Sequence, residues 1–295
     1  MKLIILAMCL SLSSGICAAQ NREAIAQGTV GKVTDEKLIL CVKNGDANCV
    51  TLALAMGADA NTVDEKGMTV LILAAEGKSA SVVRFLLGAG ADVNKARQGE
   101  GTPLCRAALF GRKEIAETLL ERGAKINIVC DSDHGDTPLM DALRGAMYGD
   151  MPGDLKEELV ETNGNDGGSE NDNANATDEA RNEAEKLREV LNAPRDDFLA
   201  IARLLLARGA DVNVVAKCDV GETALMYAAT GASVEMVKEL LARGADVNEG
   251  ASVLTLLLQF EREYERVKRL VLPALSKEQT AMLAWSEKTR GGAKK

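Results

Sequence analysis

A five-residue phrase recurs at a fixed distance along this chain, and that regularity constrains the fold more than any other feature. Gly57-Ala58-Asp59-Ala60-Asn61, Gly90-Ala91-Asp92-Val93-Asn94 and Gly123-Ala124-Lys125-Ile126-Asn127 follow one another at 33-residue intervals. The series resumes 86 residues later at Gly209-Ala210-Asp211-Val212-Asn213 and closes 35 residues beyond at Gly244-Ala245-Asp246-Val247-Asn248. A second ladder stays in phase with it: Gly67-Met68-Thr69-Val70-Leu71, Thr102-Pro103-Leu104, Gly135-Asp136-Thr137-Pro138-Leu139 and Gly221-Glu222-Thr223-Ala224-Leu225. A period near 33 residues means one supersecondary unit repeated, and a unit that small buries too little to stand alone, so its copies must stack.

Each residue type in the period has a physical reason. Thr before Pro is an N-cap and first-turn pair that starts a helix. Ala pairs (Ala74-Ala75, Ala107-Ala108, Ala228-Ala229) let two helices approach closely, while runs such as Ile115 to Leu120 pack on the next unit. The glycine before Ala-Asp takes the left-handed conformation that ends a helix. With aromatics at only 3%, the core must be built from Leu, Ala and Val. These residues resemble the ankyrin repeat family over residues 34–250. The resemblance implies an all-α solenoid of about five helix-turn-helix repeats with finger loops. One departure stands out: the His of the family's Thr-Pro-Leu-His box is replaced by Ile72, Cys105, Met140 and Met226. The first repeat is degenerate, with Glu36-Lys37 where Thr-Pro is expected, which suits a polar N-terminal cap.

Residues 1–19 read as a secretory signal peptide, with one lysine, a short apolar run and small residues before a cut after Ala19. The run is shorter than the ~20 apolar residues of a membrane span. The expectation is an exported protein of a bacterial envelope or exterior, periplasmic or secreted, with residues 20–33 as a linker. Five cysteines then remain, so at least one stays outside any internal pair. A formal charge of −9 disfavours nucleic acid as the partner. That charge concentrates in an insertion at 146–196 of the fourth repeat, which holds 14 acidic and 5 basic residues. Asn163 to Thr177 reads as disorder and Asp178 to Leu191 as a charged helix. Removal of Gly149 to Ala193 is expected to leave the solenoid folded. Residues 251–295 read as a helical cap and tail, and caps at both ends predict a monomer.

No nucleotide loop, zinc-protease pair or serine elbow is present, so the chain reads as a non-enzyme without cofactor or metal. Cys130 and Cys218 sit on neighbouring fingers, where a disulfide between them, a zinc site with His134, or two unpaired thiols are the competing readings. Cys41, Cys49 and Cys105 fall on helices and read as small core side chains. The family resemblance implies a partner protein bound by finger tips and inner helices. Carried onto this chain, the finger positions are Glu65, Lys66 and Met68; Gln98 and Gly101; Asp133, His134 and Asp136; and Asp219, Val220 and Glu222. The inner-helix positions are Glu76, Leu109, Phe110, Arg144 and Thr230, with Leu109 and Phe110 as an apolar anchor. Asp133, Asp136, Asp219 and Glu222 would steer a partner with a basic patch. The alternative within the binding class is an inhibitor or immunity protein for a secreted enzyme or toxin.

Overall fold

The computed structural model describes residues 29–97, 101–130, 135–149, 156, 174–217, 221–231 and 233–247. The expected signal peptide and C-terminal cap lie outside them. The described residues form eleven helices: α1 (Thr29–Lys43), α2 (Ala47–Ala55), α3 (Val70–Glu76), α4 (Ala80–Gly88), α5 (Pro103–Leu109), α6 (Lys113–Glu121), α7 (Pro138–Gly149), α8 (Ala174–Leu191), α9 (Arg195–Ala207), α10 (Ala224–Thr230) and α11 (Val234–Ala242). No strand occurs among these residues. The fingers carry only isolated bridges at Val63/Thr69, Arg97/Gly101 and Val215/Thr223. The helices pair as α1/α2, α3/α4, α5/α6, α7/α9 and α10/α11, which makes five repeats with α8 inserted in the fourth.

Local chemistry starts and stops these helices as the sequence pattern requires. Thr69 and Thr102 accept from the backbone N–H of Ile72 and Cys105, at 3.1 and 3.5 Å, and open α3 and α5. Thr137 and Thr223 do the same for Met140 and Met226 at 3.4 Å. At the other end, the ladder glycines take φ between 83° and 93°. The N–H of the alanine that follows then donates back to the last turn of its outer helix, as from Ala91 to the Leu86 carbonyl at 3.0 Å. This closes the orphan carbonyls that a helix end leaves.

The ladder asparagine joins one repeat to the next. Asn61 donates to the Gly90 carbonyl at 3.1 Å and accepts from the Asp92 N–H at 2.8 Å. Asn94 repeats this toward Gly123 and Lys125, and Asn213 toward Gly244 and Asp246. Asn127 makes the same pair with Gly209 and Asp211, at 3.4 and 2.9 Å, across the whole insertion. The register therefore passes through repeat 4 unchanged. In repeat 1 the carboxylate of Asp35 takes the accepting role, holding the Asp59 N–H at 2.8 Å.

Between the helix layers lies a continuous core of Leu, Ala and Val, with Phe198 as its largest fully buried side chain. Three expectations need correction. Helix α1 begins at Thr29, inside the stretch read as a linker. The first repeat is not a polar cap, since Leu40, Leu52 and Met56 are 60%, 51% and 54% exposed on it. The insertion is not separable at Ala193, because Val190 and Leu191 are buried with the core. Lys156 also ties its two ends together, donating to the carbonyls of Gly149 at 3.1 Å and Leu191 at 2.8 Å. The charged helix is present as α8 but begins at Ala174, so 174–177 of the stretch read as disorder are helical, while 163–173 lies outside the described residues.

The cysteines correct the sequence reading most directly. Cys130 bonds to Cys105, with Cα atoms 5.4 Å apart, and Cys41 bonds to Cys49 at 5.5 Å. Stacking puts Cys105, which occupies the vacant His slot of repeat 3, directly under the following finger. Cys130 is therefore bonded to Cys105 rather than held for Cys218, which lies outside the described residues. A covalent link thus stands where the family's box would place a hydrogen-bonding His. Closing a loop of 25 residues constrains the unfolded chain by about 3 kcal/mol. Replacing both cysteines by serine is accordingly expected to lower stability by about 2–4 kcal/mol. Urea titration followed by circular dichroism measures this, and an unmoved midpoint would show that the link contributes nothing.

Candidate protein-binding surface

At the first finger tip the backbone is fixed by Asp64, which accepts from the N–H groups of Lys66 and Met68 at 3.0 and 2.9 Å. Such an Asx turn projects Glu65 and Lys66 into solvent, where both are exposed. Met68 points inward and is buried. Of the other expected finger residues, Gln98, Asp133, His134, Asp219 and Val220 lie outside the described residues. Glu222 is half-buried and accepts from the Tyr227 hydroxyl at 2.6 Å.

Asp136 is not a free steering charge. It is buried in the base of its finger and held by Arg144 at 2.6 Å, and Arg144 reaches the equally buried Asp141 at 2.5 Å. Burial by itself would pull the Arg144 guanidinium down, but Asp141 and then Asp136 outweigh it and keep the cation firmly charged. Arg144 is thus spent inside the protein. Burial, reinforced by the bond to Glu222 and the nearby Asp136, raises the Tyr227 phenol above its usual range. A raised folded-state pKa means that this stabilisation is complete below about pH 10, the unfolded value, and is lost as pH rises above it. Tyr227→Phe is therefore expected to flatten the decline in stability above pH 10. A spectrophotometric titration should also find one of the three tyrosines resisting ionisation until the fold melts.

The inner-helix positions differ from expectation as well. Phe110 is buried, beneath the guanidinium groups of Arg106 and Arg112 at 5.2 and 5.9 Å from its ring. It is no exposed anchor, and Leu109 beside it is half-buried. Thr230 is half-buried and donates its hydroxyl proton to the Met226 carbonyl within its own helix. Glu76 is buried and accepts from Arg106 Nε at 2.8 Å and Nη2 at 2.5 Å. The zinc reading gains no support. The one group of metal-type donors among the described residues, Cys105, Cys130 and Asp141, contains two sulfurs already bonded to each other.

Sequence reasoning missed Lys78, Arg106, Arg112, Lys186 and Glu189. Glu189 accepts from Arg112 at 2.5 Å and pairs with Lys78 at 3.0 Å. Burial would raise its carboxyl, but the hydrogen bonds from Lys78 and Arg112 prevail and hold it below the ordinary value. No local signal announces such a pairing, because Arg112 and Glu189 are 77 residues apart.

Stacked helix pairs joined from finger to finger by the Asn ladder define a helical-repeat scaffold. The chain belongs to the ankyrin repeat family: the family model described as "Ankyrin repeats (3 copies)" matches residues 38–130 and 190–280. The second match runs past Asn248, where the Gly-Ala-Asp-Val-Asn ladder stops. A search of curated proteins finds no match to the chain. Members of this family generally mediate protein–protein binding as non-catalytic scaffolds. No helix among the described residues is long and apolar enough to cross a membrane.

Proposed function

We propose that this ankyrin array is exported and binds a partner protein outside the cytoplasm through its row of fingers. The two disulfides within the array carry the reading, since such bonds persist in oxidising compartments and are rare in the cytosol. They agree with the leader-like composition of residues 1–19 and leave Cys218 as the odd cysteine of the mature chain. The finger row suits recognition because the Asn ladder fixes its spacing and Asp64 holds the first tip rigid, so little order has to be gained on binding. Two measurements test this. Residues 1–33 fused to a reporter enzyme that folds only once its own disulfides form should yield active enzyme; an inactive fusion rejects export. A photo-cross-linker at Lys66 on the finger should capture a partner that the same group at Arg203, exposed on outer helix α9, does not; equal capture at both rejects the finger surface.

A further inference from the structure

The insertion returns to the array as α8, and its last turns cross the C-terminal ends of the inner helices of repeats 2 and 3. Glu189 sits between Arg112 and Lys78, as described above. Three residues earlier on the same helical face, Lys186 meets Glu76 Oε2 at 3.0 Å, while Glu76 Oε1 holds Arg106. An amine and a carboxylate one turn apart thus match a strip of the array, Glu76, Lys78, Arg106 and Arg112, that carries one negative and three positive charges. Beside the strip, between repeats 1 and 2, lies a groove of about 620 Å³ that reaches from Lys43 to Lys78 and has Glu189 as its one wall residue from α8.

The grip of this part of α8 is ionic and wet. The side chains of Lys78, Lys186 and Glu189 are 73%, 46% and 34% exposed. The Lys78–Glu189 pair, the most open to water, is individually weak and screened by salt, while Arg112 and Glu76 hold α8 from less exposed positions, at 11% and 10%. Tethering makes up the difference, because a segment joined to the array competes at an effective concentration of about millimolar. The buried Val190 and Leu191 hold the C-terminal end of α8, so the helix can leave the strip while remaining anchored to repeat 4.

We propose that α8 is an intramolecular occupant of a recognition surface, and that the strip beneath it takes a helix of a partner protein bearing a carboxylate and an amine one turn apart, as Glu189 and Lys186 are. This rests on the reading of the array as a protein-binding scaffold and adds a second surface to its fingers. Helix-in-groove recognition supplies the mode. The wild-type surface is closed by its own helix and opens when a competing helix of higher affinity, or high salt, displaces it.

The probe is a labelled peptide of residues 174–189, added to the full-length mature chain and followed by fluorescence anisotropy. Wild type should take it up poorly. The double variant Lys186→Glu/Glu189→Lys, whose α8 now faces like charges, should bind it on the order of a hundredfold more tightly. Adding Lys78→Glu to that variant should remove most of the gain. The milder Lys186→Gln/Glu189→Gln pair should show the same order, and its helical melt should match wild type, which separates release of α8 from loss of fold. Amide exchange along α8 should quicken in the released variants while the inner helices stay protected. Equal uptake by wild type and released variants overturns the proposal, as does no uptake by either variant at about millimolar peptide, the effective concentration of a short tether. Neither result touches capture of a partner at Lys66, so failure here and failure of the finger surface remain distinct.

Discussion

Replacing Phe198 by alanine should destabilise the protein by about 3–5 kcal/mol, the range for deleting a large buried aromatic. Phe198 is fully buried where α9 packs on α7, and its ring lies against Gly111 and Gly145. Gly145 lies within α7, and a Cβ placed there would fall inside the van der Waals envelope of the Phe198 ring. Gly145→Ala should therefore cost about 1–3 kcal/mol through overpacking, even though alanine is the better helix former. The two changes should not add. The added methyl partly fills the space that the missing ring leaves, so the double variant should be more stable than the sum of the single losses predicts. Urea titrations of the four proteins measure this cycle. Strict additivity would show that the ring does not rest on Gly145, and with it that α9 does not close on α7 as described.

Breaking the buried cluster at the base of the third finger should have an effect of similar size. Removing one partner from a buried pair leaves the other charge uncompensated, at about 3–5 kcal/mol. Arg144→Met keeps the apolar stem but removes the cation shared by Asp136 and Asp141, both nearly inaccessible to water. Asp136 also anchors the finger backbone, its carbonyl accepting from the Cys130 N–H at 2.7 Å. The loss should therefore be local as well as global, with faster amide exchange at Cys130 than in the equivalent fingers. Combining Arg144→Met with Asp136→Asn and Asp141→Asn should recover much of the stability, because neutral groups are far cheaper to bury than unpaired charges. If the triple variant were no more stable than Arg144→Met alone, stranded charge would not be the cause. The same cluster takes Asp136 out of the expected set of four steering carboxylates, and Glu222 is engaged by Tyr227, while Asp133 and Asp219 lie outside the described residues.

Repetition made the architecture legible before any coordinate. The threonine caps, the glycine stops and the in-phase Asn residues are local or once-per-repeat features, so one chain suffices to read them, and the helices begin and end where those residues stand. The charged helix in the insertion was legible for the same reason, because its period is internal. What a sequence period cannot give is the neighbour across a stacking surface. The sequence places Cys105 on a core helix and Cys130 on a finger; only the approach of that finger over the preceding inner helix joins the two. Phe110 and Asp136 occupy positions the family exposes, yet here Arg106 and Arg112 cover the first and Arg144 binds the second. The meeting of Lys186 and Glu189 with repeats 2 and 3 depends on where a long insertion lands. Nothing periodic fixes that, so it was decided by packing and charge in three dimensions.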